Sequence, residues 1–201
     1  MPSFDHLKPD LAPTQRKGVC AQAVRGVTLI ELLVVMTIIG VLLSIGVPSY
    51  RSFSNNSRIS GAINALLGDL QFTRAEANKR GTFVTACASV SGDTCSASTS
   101  WDTGWIVFVD NNTNGTVGTV DKDEVILRVK AAFSSTDSAV ADSSVARITF
   151  NREAFISGLP ADPVTITFKP LNAIDTTWTR CLAVGQMGRM TVQKSGTGAC
   201  L

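Results

Sequence analysis

The sequence predicts an α+β protein in which one long N-terminal helix packs on an antiparallel β-sheet head. Two kinds of pattern support this fold class: an apolar helical region before residue 81, and short β-branched or aromatic runs after it. No helical pattern separates the β-runs, so antiparallel pairing is expected. The predicted organisation has four segments. They are a leader (1–26), a membrane helix (27–47), an amphipathic helix (48–80) and a β-rich head (81–201).

The run from residue 27 to 47 is apolar except for Glu31. As a helix it would be about 31 Å long, which matches a hydrocarbon core of roughly 30 Å. A carboxylate within that core costs about 2.5 kcal/mol or more unless it lies near the interface or meets a cation. Glu31 is therefore a candidate functional residue that needs a positively charged partner.

The segment before this run is basic but has no apolar stretch of its own. A secretory signal would place its cleavage site after the apolar region, whereas here basic residues precede it directly. A cut between Gly26 and Val27 would create an amine four residues before Glu31, one helical turn away.

The order Arg25, Gly26, Val27-Thr28-Leu29-Ile30-Glu31 and a long apolar helix resembles the class III signal of type IV pilins and type II secretion pseudopilins. The resemblance implies that prepilin peptidase cuts after Gly26 and that the new Val27 amine is methylated. It also implies that Glu31 meets the N-terminal amine of a neighbouring subunit during filament assembly. The family usually has phenylalanine at the position of Val27, and processing is still expected with valine.

The helical pattern continues past Gly46 and Pro48, where a bend is expected. Apolar residues then recur at three- and four-residue spacing, which predicts an amphipathic helix. They are Ile59, Ile63, Leu66, Leu67 and Leu70. Lys79, Arg80 and Gly81 predict its end. Glu76 is expected to lie in a solvated charge cluster with Arg74 and these two basic residues.

Seven runs after Gly81 have strand-like composition. They are 82–90, 104–110, 124–133, 146–150, 164–170, 179–185 and 188–194. Turn-rich stretches at 111–118 and 135–144 separate some of them. Trp101 and Trp105 are expected to fill the core of the head.

Three stretches narrow the resemblance to the GspH/FimT family of minor pilins and minor pseudopilins. They are "LLGDLQFTRAEANKRG", "GWIVFVD" with the later "DEVILR", and the C-terminal Gly-Arg strand. The resemblance implies a type IV pilin-like fold and a low-copy subunit that helps to prime filament assembly.

Charge and histidine content argue against several function classes. Residues 27–201 carry equal numbers of basic and acidic residues, and the one histidine, His6, lies in the leader. Histidine-activated nucleophiles and the usual zinc sites are therefore excluded from the processed chain. We expect no enzyme activity and no cofactor, with calcium as the one exception considered.

The head has four cysteines, Cys87, Cys95, Cys181 and Cys200. The basic leader predicts that the head lies across the membrane in an oxidising compartment. Three pairings are open, and we favour Cys87 with Cys95 and Cys181 with Cys200 because each closes a short loop.

The stretch from Asp110 to Asp121 partly matches a calcium-binding loop. Asp110, Asn112 and Asn114 fit its first half, and Asp121 falls where a bidentate glutamate would stand. The alternative is a solvated hairpin loop with an Asn-Gly turn.

The C-terminal segment is basic within a neutral head. Its charged residues are Lys169, Asp175, Arg180, Arg189 and Lys194. Some members of the family bind DNA through a C-terminal Gly-Arg-x-Arg element, and Gly188-Arg189 matches its first half without the second arginine. Weak, sequence-independent DNA binding by Arg180, Gly188, Arg189 and Lys194 is the alternative to a solvated strand face.

Three functions remain open. The first is a minor pilin that primes or caps a type IV pilus, with roles in pilus biogenesis, twitching motility and DNA uptake. The second is a GspH-type minor pseudopilin of a type II secretion system, and the third is a DNA-binding receptor pilin. The expected partners are other pilins or pseudopilins, prepilin peptidase, the bacterial inner membrane and DNA. The head is expected in the periplasm, or outside the cell in a pilus.

Overall fold

The structure, a computed structural model, describes residues 26–117, 124–133, 137–170 and 176–200. One helix precedes the strands: α1, Leu29–Arg80. The strands are β1 (Val84–Ala88), β2 (Gly104–Val109), β3 (Ile126–Ala131), β4 (Asp137–Ala141), β5 (Arg147–Phe150), β6 (Ile156–Ser157), β7 (Val164–Pro170), β8 (Arg180–Val184) and β9 (Met190–Lys194). The chain divides into two compact units, Met1–Ile45 and Gly46–Leu201.

The first unit contains the apolar part of α1. Thr28 caps the helix, because its Oγ1 accepts a hydrogen bond of 3.2 Å from the backbone N–H of Glu31. All side chains from residue 26 to 45 are exposed. The hydroxyls of Thr37 and Ser44 donate to helix carbonyls, so they are satisfied within the segment. By length and composition, α1 is able to cross a membrane.

In the second unit, α1 carries the predicted apolar stripe. Ile59, Ile63, Leu66 and Leu70 are fully buried, and Leu67 is half-buried. Helical structure continues through Pro48, so the expected bend at Gly46 and Pro48 stays a prediction. The helix ends at Arg80 as predicted. Gly81 follows with a φ of 66°, and its N–H donates to the carbonyl of Ala77, which is a common way to end a helix.

The strands form two sheets, and every described pairing is antiparallel, as predicted. The five-stranded sheet has the order β3-β2-β1-β5-β6, and the four-stranded sheet has the order β4-β7-β8-β9. All seven predicted strand regions contain a strand, namely β1, β2, β3, β5, β7, β8 and β9. The α+β fold class is therefore confirmed.

The interpretation of 135–144 as a turn-rich stretch was wrong. β4 lies within it and pairs with β7 in the register Ala139 to Phe168. Ala139 and Ala141 face the core, but such small side chains give little hydrophobic signal. Pairing with β7 decides the structure here, since strand formation depends strongly on tertiary context. The two-residue β6 was missed for the same reason.

One apolar core joins α1 to both sheets. It combines the helix stripe with residues of the five-stranded sheet, such as Trp105 and Phe150, and of the four-stranded sheet, such as Phe168 and Leu182. Trp101 and Trp105 are fully buried, which confirms their predicted place. Their indole N–H groups donate to the carbonyl of Val145 and to the carboxylate of Asp69.

Both favoured disulfides are present in the structure. Cys87 on β1 bonds to Cys95 in the loop after it, on the face of the sheet that points away from α1. Cys181 on β8 bonds to Cys200, which ties the C-terminal tail to the four-stranded sheet.

Candidate functional site

The predicted cleavage site lies in an accessible segment next to the start of α1. Gly26 and Val27 precede the helix, and Val27 is 71% exposed. The leader before Gly26 lies outside the described residues. An exposed backbone outside regular structure is suited to binding in a peptidase active site.

Glu31 lies in the first turn of α1 with its side chain exposed. Within the described part of the chain, no cation forms an ion pair with its carboxylate. The positive end of the helix dipole favours an acid at this position but does not replace a counter-charge. The side chain is therefore available to an amine from outside this chain.

The glycine of the predicted Gly-Arg element has a structural role. Gly188 has a φ of 72°, and its carbonyl accepts a hydrogen bond from Nη1 of Arg74. Nε of the same arginine donates to the carbonyl of Ala154. A Cβ at Gly188 would lie 2.8 Å from that Ala154 oxygen. Arg74 thus clamps two loops to α1, a role that the sequence does not reveal because both acceptors are backbone carbonyls.

The four predicted DNA-binding residues do not lie together. Gly188 and Arg189 precede β9, whereas Lys194 ends it, roughly 16 Å away along an extended strand. Arg180 faces Lys194 in the register of β8 and β9. Its guanidinium donates to Oδ1 of Asn56 and to backbone carbonyls. Arg189 is exposed and stands apart from the other two cations.

The polar atoms of the predicted calcium loop mostly serve the loop itself. Oδ1 of Asn112 and Oδ1 of Asn114 accept hydrogen bonds from backbone N–H groups two residues further on. Oδ2 of Asp110 accepts from Thr85 and Gly115, while its buried Oδ1 has no hydrogen-bond partner among the described residues. Asp121 lies outside the described residues. Calcium binding therefore stays a prediction.

The expectation of a solvated Glu76 was wrong, because this residue is only 8% exposed. Its carboxylate bonds to Nε of Arg80 at 2.6 Å and to Nζ of Lys79 at 3.3 Å. These contacts, led by the Arg80 hydrogen bond, lower the pKa of Glu76. Arg74 is not part of this cluster because it holds the two loops described above.

Comparison with known families identifies the class of protein. A model described as type II transport protein GspH matches residues 62–188. The chain belongs to the GspH family. A second model, the prokaryotic N-terminal methylation motif, matches residues 22–47, which include Gly26, Val27 and Glu31. Together with the exposed apolar helix, this motif indicates a membrane-anchored protein of the minor pilin and pseudopilin class.

Solved structures support the type IV pilin-like fold. The type IV minor pilin FimU of Pseudomonas aeruginosa matches in two crystal forms. The first has a TM-score of 0.54 at 20% identity, covering 72% of this chain and 95% of FimU. The second has a TM-score of 0.50 at 21% identity, covering 69% and 94%. The minor pseudopilin EpsH of the Vibrio cholerae type 2 secretion system matches with a TM-score of only 0.44 at 10% identity, covering 70% and 99%.

Replacing Gly188 with alanine should destabilise the head through both its backbone and its neighbours. A left-handed φ costs a non-glycine residue about 1–2 kcal/mol, and the new Cβ would also collide with the Ala154 carbonyl. Gly196→Ala is the matched control, since its φ is 76° but no atom lies within 4 Å of the added carbon. We expect Gly188→Ala to lower the free energy of unfolding clearly more than the control in denaturant titrations. Equal losses would contradict a close contact at Gly188.

Acidification should weaken the head through Glu76. The hydrogen bond from Arg80, together with the charges of Lys79 and Arg80, holds the folded-state pKa of Glu76 below its unfolded value. The stabilisation is therefore present above that unfolded pKa and is lost as the pH falls through the folded pKa. Glu76→Gln should lower the melting temperature at pH 7 and flatten its dependence on pH below about 5. Glu153→Gln, which removes an exposed carboxylate paired with Arg152, is the control expected to have the smaller effect.

Proposed function

We propose that this protein is a minor pilin, a low-copy subunit that primes or caps a type IV pilus. One observation carries the proposal. It is the order of three features before the folded head. The predicted cleavage junction is exposed, and the carboxylate in the first turn of α1 has no described counter-charge. The apolar helix then buries no side chain up to residue 45. Such a helix needs lipid before assembly and other apolar helices after it.

The chemistry of assembly follows from the position of Glu31. Once the leader is removed, each subunit has a Val27 amine and a Glu31 carboxylate at the same end of its helix. An amine from a neighbouring subunit would neutralise the carboxylate in an environment where an unpaired charge is costly. Removing either group would leave the other as an unpaired buried charge. Losing one partner of a buried ion pair costs more free energy than replacing both partners with apolar groups. The pair thus favours entry into a filament over diffusion in the membrane.

The proposal also sets the location and partners. Before assembly the subunit lies in the bacterial inner membrane with its head in the periplasm, and prepilin peptidase acts on it there. Its partners afterwards are other minor and major pilins. We assign it an assembly role with no catalytic step.

Two alternatives have specific support. The family description refers to type II transport, which favours a minor pseudopilin of a secretion system. The exposed Arg189 favours a DNA receptor. A deletion strain distinguishes the first alternative from the pilus role. If the chain is a pseudopilin, this strain would lose protein secretion and keep its pili. DNA binding by the intact chain that weakens with salt and with Arg189→Ala would support the second.

Replacing Glu31 with alanine should remove the subunit from filaments without unfolding its head. We expect its amount in sheared pili to fall at least about tenfold, since a lost buried charge partner costs roughly 3–5 kcal/mol. Immunoblots of the pilus and membrane fractions measure this, and the membrane level should stay unchanged. Glu153→Ala removes an exposed head carboxylate and serves as the control. Wild-type incorporation of the Glu31→Ala chain would contradict the proposal.

A further inference from the structure

The four-stranded sheet has a strongly basic end. Arg180 on β8 lies opposite Phe168 on β7 and opposite Lys194 on β9. Lys169 follows Phe168 and is exposed, as is Lys194. Because side chains alternate along a strand, Lys169 lies at the same end of the sheet but on the opposite face from Arg180 and Lys194. Adjacent strands lie about 4.8 Å apart, so three cations on three neighbouring strands share one end of the sheet.

This arrangement is unfavourable within the chain. Like charges directly opposite each other on antiparallel strands destabilise the pair, and Arg180 and Lys194 occupy such positions. None of the described carboxylates forms an ion pair with Lys169, Arg180 or Lys194. Asp137 on the neighbouring strand β4 is engaged by two nitrogens of Arg58. Among the described residues, this end of the sheet therefore carries cations that no carboxylate neutralises by an ion pair.

Contacts with α1 locate this end of the sheet. Nε1 of Trp178 donates to Oγ of Ser52, and Nη2 of Arg180 donates to Oδ1 of Asn56. Val47 is the last residue of the apolar run. The chain from Val47 to Ser52 spans about 7.5 Å as a helix and at most about 18 Å if extended. The basic end therefore lies beside Ser52 and Asn56 of α1, which follow the apolar run closely along the chain.

The same part of α1 has the composition of a membrane–water interface. Tyr50 and Phe53 are each 72% exposed, and Arg51 between them is also exposed. Aromatic and basic residues are typical of this zone, where rings lie at headgroup level and cations meet lipid phosphates. From residue 46 to 68 the helix has two arginines and no acid.

We propose that Arg51, Lys169, Arg180 and Lys194 form a surface that binds the anionic lipid headgroups of the membrane around α1. The proposal rests on anchoring by residues 27–47 and is independent of the role in a pilus. Anionic lipids attract cations within roughly a Debye length, about 8 Å at physiological salt. The exposed aromatic pair and the short chain distance to the apolar run favour a lipid surface over nucleic acid as the partner. Binding would hold the head against the membrane that anchors the chain.

Lysine labelling in nanodiscs tests this surface on the intact processed chain. The chain is inserted in nanodiscs of phosphatidylcholine, with or without phosphatidylglycerol, and the reaction of each lysine with an amine reagent is followed by mass spectrometry. We expect Lys169 and Lys194 to react about fivefold more slowly in the anionic discs. This is roughly the factor by which an anionic surface favours the bound state of one lysine or arginine. Lys79 and Lys130 are exposed lysines elsewhere on the head and should react equally in both. High salt should remove the difference.

Matched arginine variants complete the test. Arg51→Gln removes an exposed cation of the proposed surface and should restore much of the labelling in anionic discs. Arg189→Gln removes an exposed cation at the other end of β9 and should change nothing. Equal labelling of Lys169 in both kinds of disc would overturn the proposal. Protection that appears only when duplex DNA is added to phosphatidylcholine discs would overturn it in favour of a nucleic acid partner. Neither result bears on incorporation into pili, which depends on Glu31.

Discussion

The apolar stripe of α1 from Ile59 to Ala77 is the contact on which the rest of the head depends. Both sheets bury their apolar faces against it in one core. Each fully buried leucine or isoleucine contributes roughly 1.5–3 kcal/mol, so this stripe supplies a large share of the driving force for folding. Polar residues beside the stripe then fix the parts around it. Asp69 accepts from Trp105 and Arg128, and Arg74 holds the loops at Ala154 and Gly188.

The same helix meets two different environments. Its first part buries no side chain up to residue 45, while its second part buries one face against the head. A protein surface that is apolar on all sides is stable only in lipid or among similar helices. Glu31 adds a demand for a cation in that setting, and processing at Gly26 would create one on each neighbouring subunit. In the proposed role, membrane anchoring and filament assembly are thus two uses of one segment.

The sequence predicted the features that depend on local pattern. The spacing of Ile59, Ile63, Leu66 and Leu70 marks the buried face of α1, and the strand regions and short disulfide loops are equally local signals. Local sequence pattern did not predict the features that depend on strand register or tertiary packing. β4 is a strand because it pairs with β7, and the burial of Glu76 depends on tertiary packing that the local sequence does not show.

The basic residues show the same limit more clearly. In sequence, Arg180, Arg189 and Lys194 form one charged segment, but strand register places Arg180 with Lys194 and leaves Arg189 at the other end of β9. The cations that the sequence groups into one segment therefore lie at two ends of β9.

The central claim is that residues 27–47 act as a processed pilin segment. Intact-mass analysis of the chain isolated from its own cell membranes tests this most directly. The account predicts a mass for residues 27–201 with one methyl group on the Val27 amine and both disulfides formed. A chain that keeps its leader, or one cut elsewhere, would contradict the account, because no amine would then lie one helical turn before Glu31.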